Sequence, residues 1–314
     1  MRRTIGLLNP RRLSLLPIPM HLGQKHAGTD LSPQLLQNLG LMDILRENKW
    51  EVTVSENLCD PSKYSSEPTD EDKLHNAKNC REIGLACQKI EKGVYEHAKT
   101  DNFLLMLGGD HSIPIGTIPA IKRARPNTGI VWVDAHADIN TPSGSESGNI
   151  HGMPLGFLLG LVDNVNSLPS FDYFKPCLDP TDIVYIGLRD VDDFEKDTIR
   201  RLGIKAYSMY DIDKKGIGRV MEEVGEYMAG KDIHLSFDID ALDPLFAPST
   251  GTAVRGGLTF REGNYICETL YETGRLKSME MVEVNPMLNN QADAKQTAEM
   301  AIILIRAAMG RTIL

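Results

Sequence analysis

Apolar, β-branched runs recur along this chain with helical patterns between them: TIGLL at 4–8, FLLML at 103–107, GIVWV at 129–133, DIVYIG at 182–187, IHLSF at 233–237 and MEMVEV at 279–284. Continuous apolar runs of strand length are what a parallel sheet demands, because its strands are covered by helices on both faces. Between the runs, Ile83, Cys87, Ile90 and Val94 keep the four-three-four spacing of one buried helical stripe. Ala301, Leu304, Ile305 and Ala308 repeat that logic in a last helix over about 292–309. No composition shift, Gly/Ser linker or internal repeat divides the 314 residues. The pattern predicts one α/β domain over 1–314 with a mainly parallel central sheet.

Composition removes several function classes. A net charge of -9 leaves no cationic stripe for nucleic acid, even though bound metal would cancel part of it. No apolar run approaches the roughly 20 residues of a membrane span, and no signal-peptide core precedes a cleavage site. The expectation is therefore a soluble, intracellular protein with no membrane or nucleic-acid partner. Five cysteines (Cys59, Cys80, Cys87, Cys177 and Cys267) show no CxxC spacing and read as reduced thiols. The first 29 residues hold no acid and carry Arg2, Arg3, Arg11 and Arg12, as a mitochondrial transit peptide would. Since TIGLL at 4–8 already reads as a buried strand, the cytosol is the expected compartment and the mitochondrion the alternative.

Chemistry gathers just after the strands. The clusters GGDHS, DAHADINT, GLRDVDDFE, SFDIDALDP and EVNP each follow an apolar run directly. In open α/β sheets the ligand site lies at the carboxyl ends of the strands, so these five clusters are expected on one rim. If DAHAD and DID continue as extended strand, Asp134, His136 and Asp138 project from one face, and Asp238 and Asp240 do likewise. With His111 from GGDHS the set holds four carboxylates and two imidazoles. Four clustered carboxylates repel one another unless cations fill the gap, and two divalent ions balance them. Oxygen-rich ligation without thiolate favours Mn(II), although Co(II) and Fe(II) suit the same donors. Two such ions sharing one water make hydroxide available at neutral pH, which points to metal-assisted hydrolysis. Asp110 and Asp243 sit in turn contexts and are expected to orient backbone. His234 reads as a satisfied core histidine, and His21, His26, His75 and His97 as surface residues.

Taken together, GGDHSIPIGT, VWVDAHADINTP, SGNIHGMP, IGLRDVD, SFDIDALDPLFAPSTGTAVRGGLTFREG and EVNP resemble, in order, the ureohydrolase family, and within it the arginases, from about Thr4 to Gly310. The resemblance implies a single three-layer α/β/α domain around a parallel sheet, assembled as a homo-oligomer, trimer or hexamer. It implies two Mn(II) ions per subunit, one held by His111, Asp134, Asp138 and Asp238 and the other by Asp134, His136, Asp238 and Asp240. Asp138 would also orient the bridging hydroxide. His151 matches the family's proton-transfer histidine, and Glu283 the carboxylate that pairs with the substrate guanidinium. A carboxylate inside the apolar run MVEV asks for a partner on its own account.

The family's substrate shell maps onto Asn140, Ser147 and Asn149 as donors to an α-carboxylate, Asp192 and Glu195 as acceptors for an α-ammonium, and Thr252 as a further lining residue. These positions favour L-arginine over agmatine and imply hydrolysis to L-ornithine and urea. Another ureohydrolase activity, a non-catalytic metal- or arginine-binding homologue, and a one-zinc deacetylase of related architecture are the alternatives. The chain departs from the family between residues 9 and 30, where NPRRLSLLPIPMHLGQKHAGTD has fewer glycines than the usual loop.

Overall fold

The computed structural model describes residues 11–64 and 70–311. Eight strands form one parallel sheet: β1 (Arg11–Ile18), β2 (Trp50–Val54), β3 (Phe103–Gly108), β4 (Thr128–Val133), β5 (Ile183–Leu188), β6 (Lys205–Ser208), β7 (Asp232–Asp238) and β8 (Leu276–Val282). Their order across the sheet is β2-β1-β3-β8-β7-β4-β5-β6. The first three strands build one side, the next three the other, and β8 and β7 close the middle. The direction of winding therefore reverses at the centre, which is where a crevice opens above the carboxyl ends of the strands.

Side chains alternate across the sheet because successive residues of a strand point to opposite faces. Leu105, Leu107, Val131, Val133, Leu235, Phe237, Met279 and Met281 pack under helices Ser32–Asn38, Leu41–Glu47, Ile217–Tyr227, Phe260–Glu272 and Gln291–Ala308. Leu104, Met106, Ile130, Trp132, Ile183 and Tyr185 pack under helices Cys80–Ala98, Pro114–Ala124 and Pro154–Leu158. The stripe Ile83, Cys87, Ile90 and Val94 is fully buried in that second layer, and the last helix buries Ala301, Leu304, Ile305 and Ala308 in the first. The result is the expected three-layer arrangement.

Five of the six anticipated runs are strands; TIGLL at 4–8 lies outside the described residues. Three strands were not anticipated. β1 is built from RRLSLLPI, whose two arginines and proline disguise it as a loop. Pro17 is tolerated because β2 has already ended there. Its carbonyl accepts from Leu58 N–H, so its missing donor faces the side with no strand to pair. β2 is a half-exposed edge and β6 has four residues, too short for a periodic signal.

Candidate metal centre and substrate cleft

Polar residues enter the sheet on one face of its two middle strands. His234 and Ser236 of β7 and Ser278 and Glu280 of β8 are fully buried on the face shared with Trp132. Ser236 Oγ donates to Glu280 Oε1 at 2.8 Å and lies 2.8 Å from His111 Nε2. Since that hydroxyl's proton is committed to Glu280, it accepts from His111 Nε2–H, which fixes the imidazole tautomer. Trp132 stacks on the His111 ring at 4.1 Å between centroids and donates its indole N–H to Asp134 at 2.9 Å.

His111 Nδ1 is thereby aimed at three carboxylate oxygens, Asp138 at 3.0 Å, Asp134 at 3.1 Å and Asp238 at 3.2 Å. It is buried with no ordinary hydrogen-bond partner. A lone pair facing three anionic oxygens is held together only by a proton or a cation at the common point. The second cluster shares Asp134: His136 Nδ1 lies 3.4 Å from Asp134 Oδ1 and 3.2 Å from Asp240 Oδ2. Two groups of donors converge within metal-binding distance, His111 with Asp134 and Asp238, and Asp134 with His136 and Asp240. The donors, all carboxylate oxygen or imidazole nitrogen, fit a pair of divalent cations.

The route by which the backbone achieves this differs from the extended strand expected. β4 ends at Val133, one residue before Asp134. Asp134 Oδ1 accepts from His136 N–H at 2.7 Å, and Asp238 Oδ1 from Asp240 N–H at 2.8 Å. Each aspartate thus bends its own chain through an Asx turn, swinging the residue two positions on into the site. Asp138 takes a left-handed backbone at φ 50, which an alternating strand never requires. Both spacings of two therefore mark tight turns.

The electrostatics follow from burial and mutual contact. Burial pushes Asp238 well above the ordinary carboxylate range, reinforced by Asp240 and Asp134, and Asp138 rises to about 6 through burial and Asp134. Burial opposes the charge on Asp134 too, but His111 and His136 hold it below the ordinary range. Both imidazoles are raised despite burial, His111 by Asp134, Asp138 and Asp238, His136 by Asp240 and Asp134. Thiols take no part: all five cysteines are free, and burial pushes Cys59 and Cys177 up to about 12.

A cleft of about 210 Å³ opens over these groups, lined by His136, Asp138, Asn140, His151, Asp192, Glu195 and Thr252, among others. His151 Nδ1 lies 3.3 Å from Glu283 Oε1, and this carboxylate keeps the imidazole's pKa raised against the effect of burial. Glu283 is fully buried and left-handed at φ 64. Among the described residues it meets no Lys or Arg; Oε1 accepts from His111 N–H at 2.8 Å and Oε2 from the Gln24 amide.

Asp192 and Glu195 form the capping box of helix Asp193–Leu202, with Asp192 Oδ1 accepting from Glu195 N–H at 2.8 Å. The other Asp192 oxygen accepts from Asn140 Nδ2 at 2.7 Å, while Asn140 Oδ1 is buried without a partner. Glu195 is pushed up to about 8 by burial, then by Asp138 and Asp192. Thr252 Oγ1 donates to Asp240 Oδ2 at 2.8 Å.

Ser147 and Asn149 are not brought into the cleft lining. Ser147 Oγ accepts from Asn149 N–H at 3.2 Å within the loop, while Asn149 Oδ1 accepts from Lys78 Nζ at 3.1 Å, across to the segment that precedes helix Cys80–Ala98. Asp110 accepts from Gly23 N–H and Ser112 N–H, and Asp243 from the backbone of Leu245, Gly256 and Gly257, as their turn contexts suggest. His234 is a core histidine bonded to Ser278 at 2.9 Å, with Glu280 at 3.2 Å. Of the four histidines expected at the surface, His26 is exposed; His21, His75 and His97 are half-buried.

Three supporting residues escaped sequence reasoning. Glu280 is the other acid of MEMVEV, and its place in an apolar run was signal enough. Arg189 sits between strand end and acids in GLRDVDD; it ties Asp240, Leu242 and Val254 through their carbonyls, at 2.6, 3.2 and 2.8 Å. Gln24 carries no sequence signal at all.

Comparison with known proteins agrees with this geometry. A sequence model of the arginase family matches residues 11–310. The chain is 47% identical to an arginase of Neurospora crassa over 98% of its own length and 88% of that protein's. It is 41% identical to human arginase-1, covering 96% of this chain and 93% of that one. Among solved structures, the Bacillus caldovelox arginase superposes with a TM-score of 0.89 at 36% identity, covering 97% of this chain and all (100%) of that one. The Entamoeba histolytica arginase, solved with L-ornithine, gives 0.85 at 31% identity over 96% of this chain and 99% of that one. By sequence and by structure, the chain belongs to the arginase family.

Proposed function

We propose that this protein hydrolyses L-arginine to L-ornithine and urea with two Mn(II) ions. The observation that carries the reading is the convergence of four buried aspartates and two imidazoles on shared points beside a buried glutamate that meets no Lys or Arg among the described residues. His111, Asp134, Asp138 and Asp238 would hold one ion, and Asp134, His136, Asp238 and Asp240 the other. Once bound, the pair supplies hydroxide at neutral pH by lowering the pKa of a shared water.

The chain's own groups do the rest. A guanidinium carbon is a poor electrophile because resonance spreads its charge, so orientation and electrostatic stabilisation must supply most of the rate. Glu283 accepts the guanidinium N–H groups and fixes the carbon over the cluster. Its contact with His151 occupies Nδ1, leaving Nε2 to exchange a proton with the departing amine. With its pKa raised, that imidazole is available as an acid at neutral pH. Asp192 and Glu195 line the side of the cleft where an α-ammonium would be met, and Asn140 steers Asp192 by its amide.

Urea release from L-arginine and agmatine, assayed in parallel on Mn-loaded protein, tests the reading. It predicts urea and ornithine in equal amounts from arginine and little urea from agmatine. Absence of urea from arginine while two metals are bound refutes it, and a preference for agmatine reassigns the substrate.

A further inference from the structure

The segment that ends in Gly23 and Gln24 lies against His151 of the cleft lining and against Glu283. Its backbone is stitched there on both sides: Gly23 N–H donates to Asp110 Oδ2 at 2.7 Å, and Gly23 C=O accepts from His151 N–H at 3.0 Å. The next residue, Gln24, is buried, and its Nε2 donates to Glu283 Oε2. On its other side the Gln24 carbonyl packs on Gly251, where a Cβ would come within 2.5 Å of Oε1. Gly251 adjoins Thr252 of the cleft lining. The amide is thus wedged between the acid and the loop opposite.

Each carboxylate oxygen offers two lone-pair directions. At Glu283, Oε1 has both taken, by His111 N–H and by His151 Nδ1. Oε2 has one taken, by Gln24, so a single acceptor direction is left. The backbone cannot share the task, since Glu283 is already fixed at φ 64 with its N–H donated to Gly109 C=O at 2.8 Å. Without Gln24 the carboxylate plane is pinned at Oε1 alone and free to swing about that end.

We propose that Gln24 is a positioning residue that aims the free lone pair of Glu283 at the substrate guanidinium, an inference that rests on the guanidinium-binding reading of Glu283. Its effect is confined to the guanidinium end of the substrate. Ornithine, which lacks that group, should not register it.

Gln24→Met keeps the length of the side chain and removes both amide groups. The expected result is a fall of about tenfold in kcat/KM for L-arginine, carried mainly by KM, the scale of one hydrogen bond to a charged group. Inhibition by L-ornithine should change by less than about twofold, while the melting temperature should fall by only a few degrees, leaving the protein folded in the assay. A crystal structure of the variant should show the Glu283 carboxylate rotated about its Oε1 end. Unchanged KM for arginine, equal weakening of ornithine and arginine, or an unmoved Glu283 carboxylate each overturns the proposal. Should the wild-type protein release no urea with its metals bound, the arginine reading falls, while the Glu283 plane in the variant still decides the role of Gln24.

Discussion

Stripping the divalent cations from this protein should load its metal centre with protons, and returning them should expel those protons in a countable number. In the metal-free protein near pH 7.5 His111 and His136 both carry a proton, because the aspartates around each hold its pKa far above that of free imidazole. Burial, Asp240 and Asp134 raise Asp238 well above the ordinary carboxylate range. Asp134 stays ionised between the two imidazoles, and Asp138, raised only to about 6, is mostly ionised. Ligation needs neutral imidazoles and ionised carboxylates, so filling both sites should release about two protons per chain or more. Near pH 5.5, where Asp138 is protonated as well, the number should rise by up to about one and apparent affinity should fall. Calorimetric titration of chelator-treated protein with Mn(II), in buffers of different ionisation enthalpy, reads the count from the slope of observed heat. Release of one proton or fewer at pH 7.5, or uptake, would refute the charge assignment of the cluster.

Other perturbations separate the parts. Glu283→Gln places an amide where three donors converge, so one donor is left facing another; stability should drop by about 1–3 kcal/mol in denaturant melts, and urea release by about a hundredfold or more. Asn140→Leu frees Asp192 Oδ2 and should raise KM for arginine about tenfold while leaving any agmatine turnover unchanged, measured by urea release. Far from the site, Asp182 bridges Lys231 and Lys122, each at 2.9 Å. Burial opposes its charge, but the two lysines lower its pKa from the ordinary 3.8. Its folded pKa lies below the unfolded one, so the stabilisation is present above the unfolded value and lost as pH falls through the folded one. Lys231→Met should therefore cost about 1 kcal/mol at pH 7 and less below pH 3, by urea denaturation at the two pH values.

The layers of the fold were legible because the central strands are buried on both faces and so carry uninterrupted apolar runs. The edge strands β2 and β6 were not, since half-exposed or four-residue strands need neither apolar content nor period. β1 was masked by Arg11, Arg12 and Pro17, whose tolerance depends on where β2 stops, a fact of pairing that no local pattern holds. All six candidate ligands were visible, yet the spacing of two meant Asx turns where extended strand was expected. Asp134 and Asp238 do double duty as turn-makers and donors, and sequence spacing cannot tell these apart. Asp192 and Glu195 likewise combine a capping box with a place in the cleft. Ser147 and Asn149, expected to line it, find partners elsewhere, Ser147 Oγ in the Asn149 N–H and Asn149 Oδ1 in Lys78. Gln24 was invisible because its importance comes from a contact spanning 259 residues.

Two divalent cations that share Asp134 are expected at the carboxyl ends of β3, β7 and β4. Anomalous diffraction from Mn-soaked crystals tests it most directly. Two peaks are predicted, one against His111 Nδ1 and one against His136 Nδ1, both within ligand distance of Asp134. A single peak, or two that share no aspartate, would contradict the account.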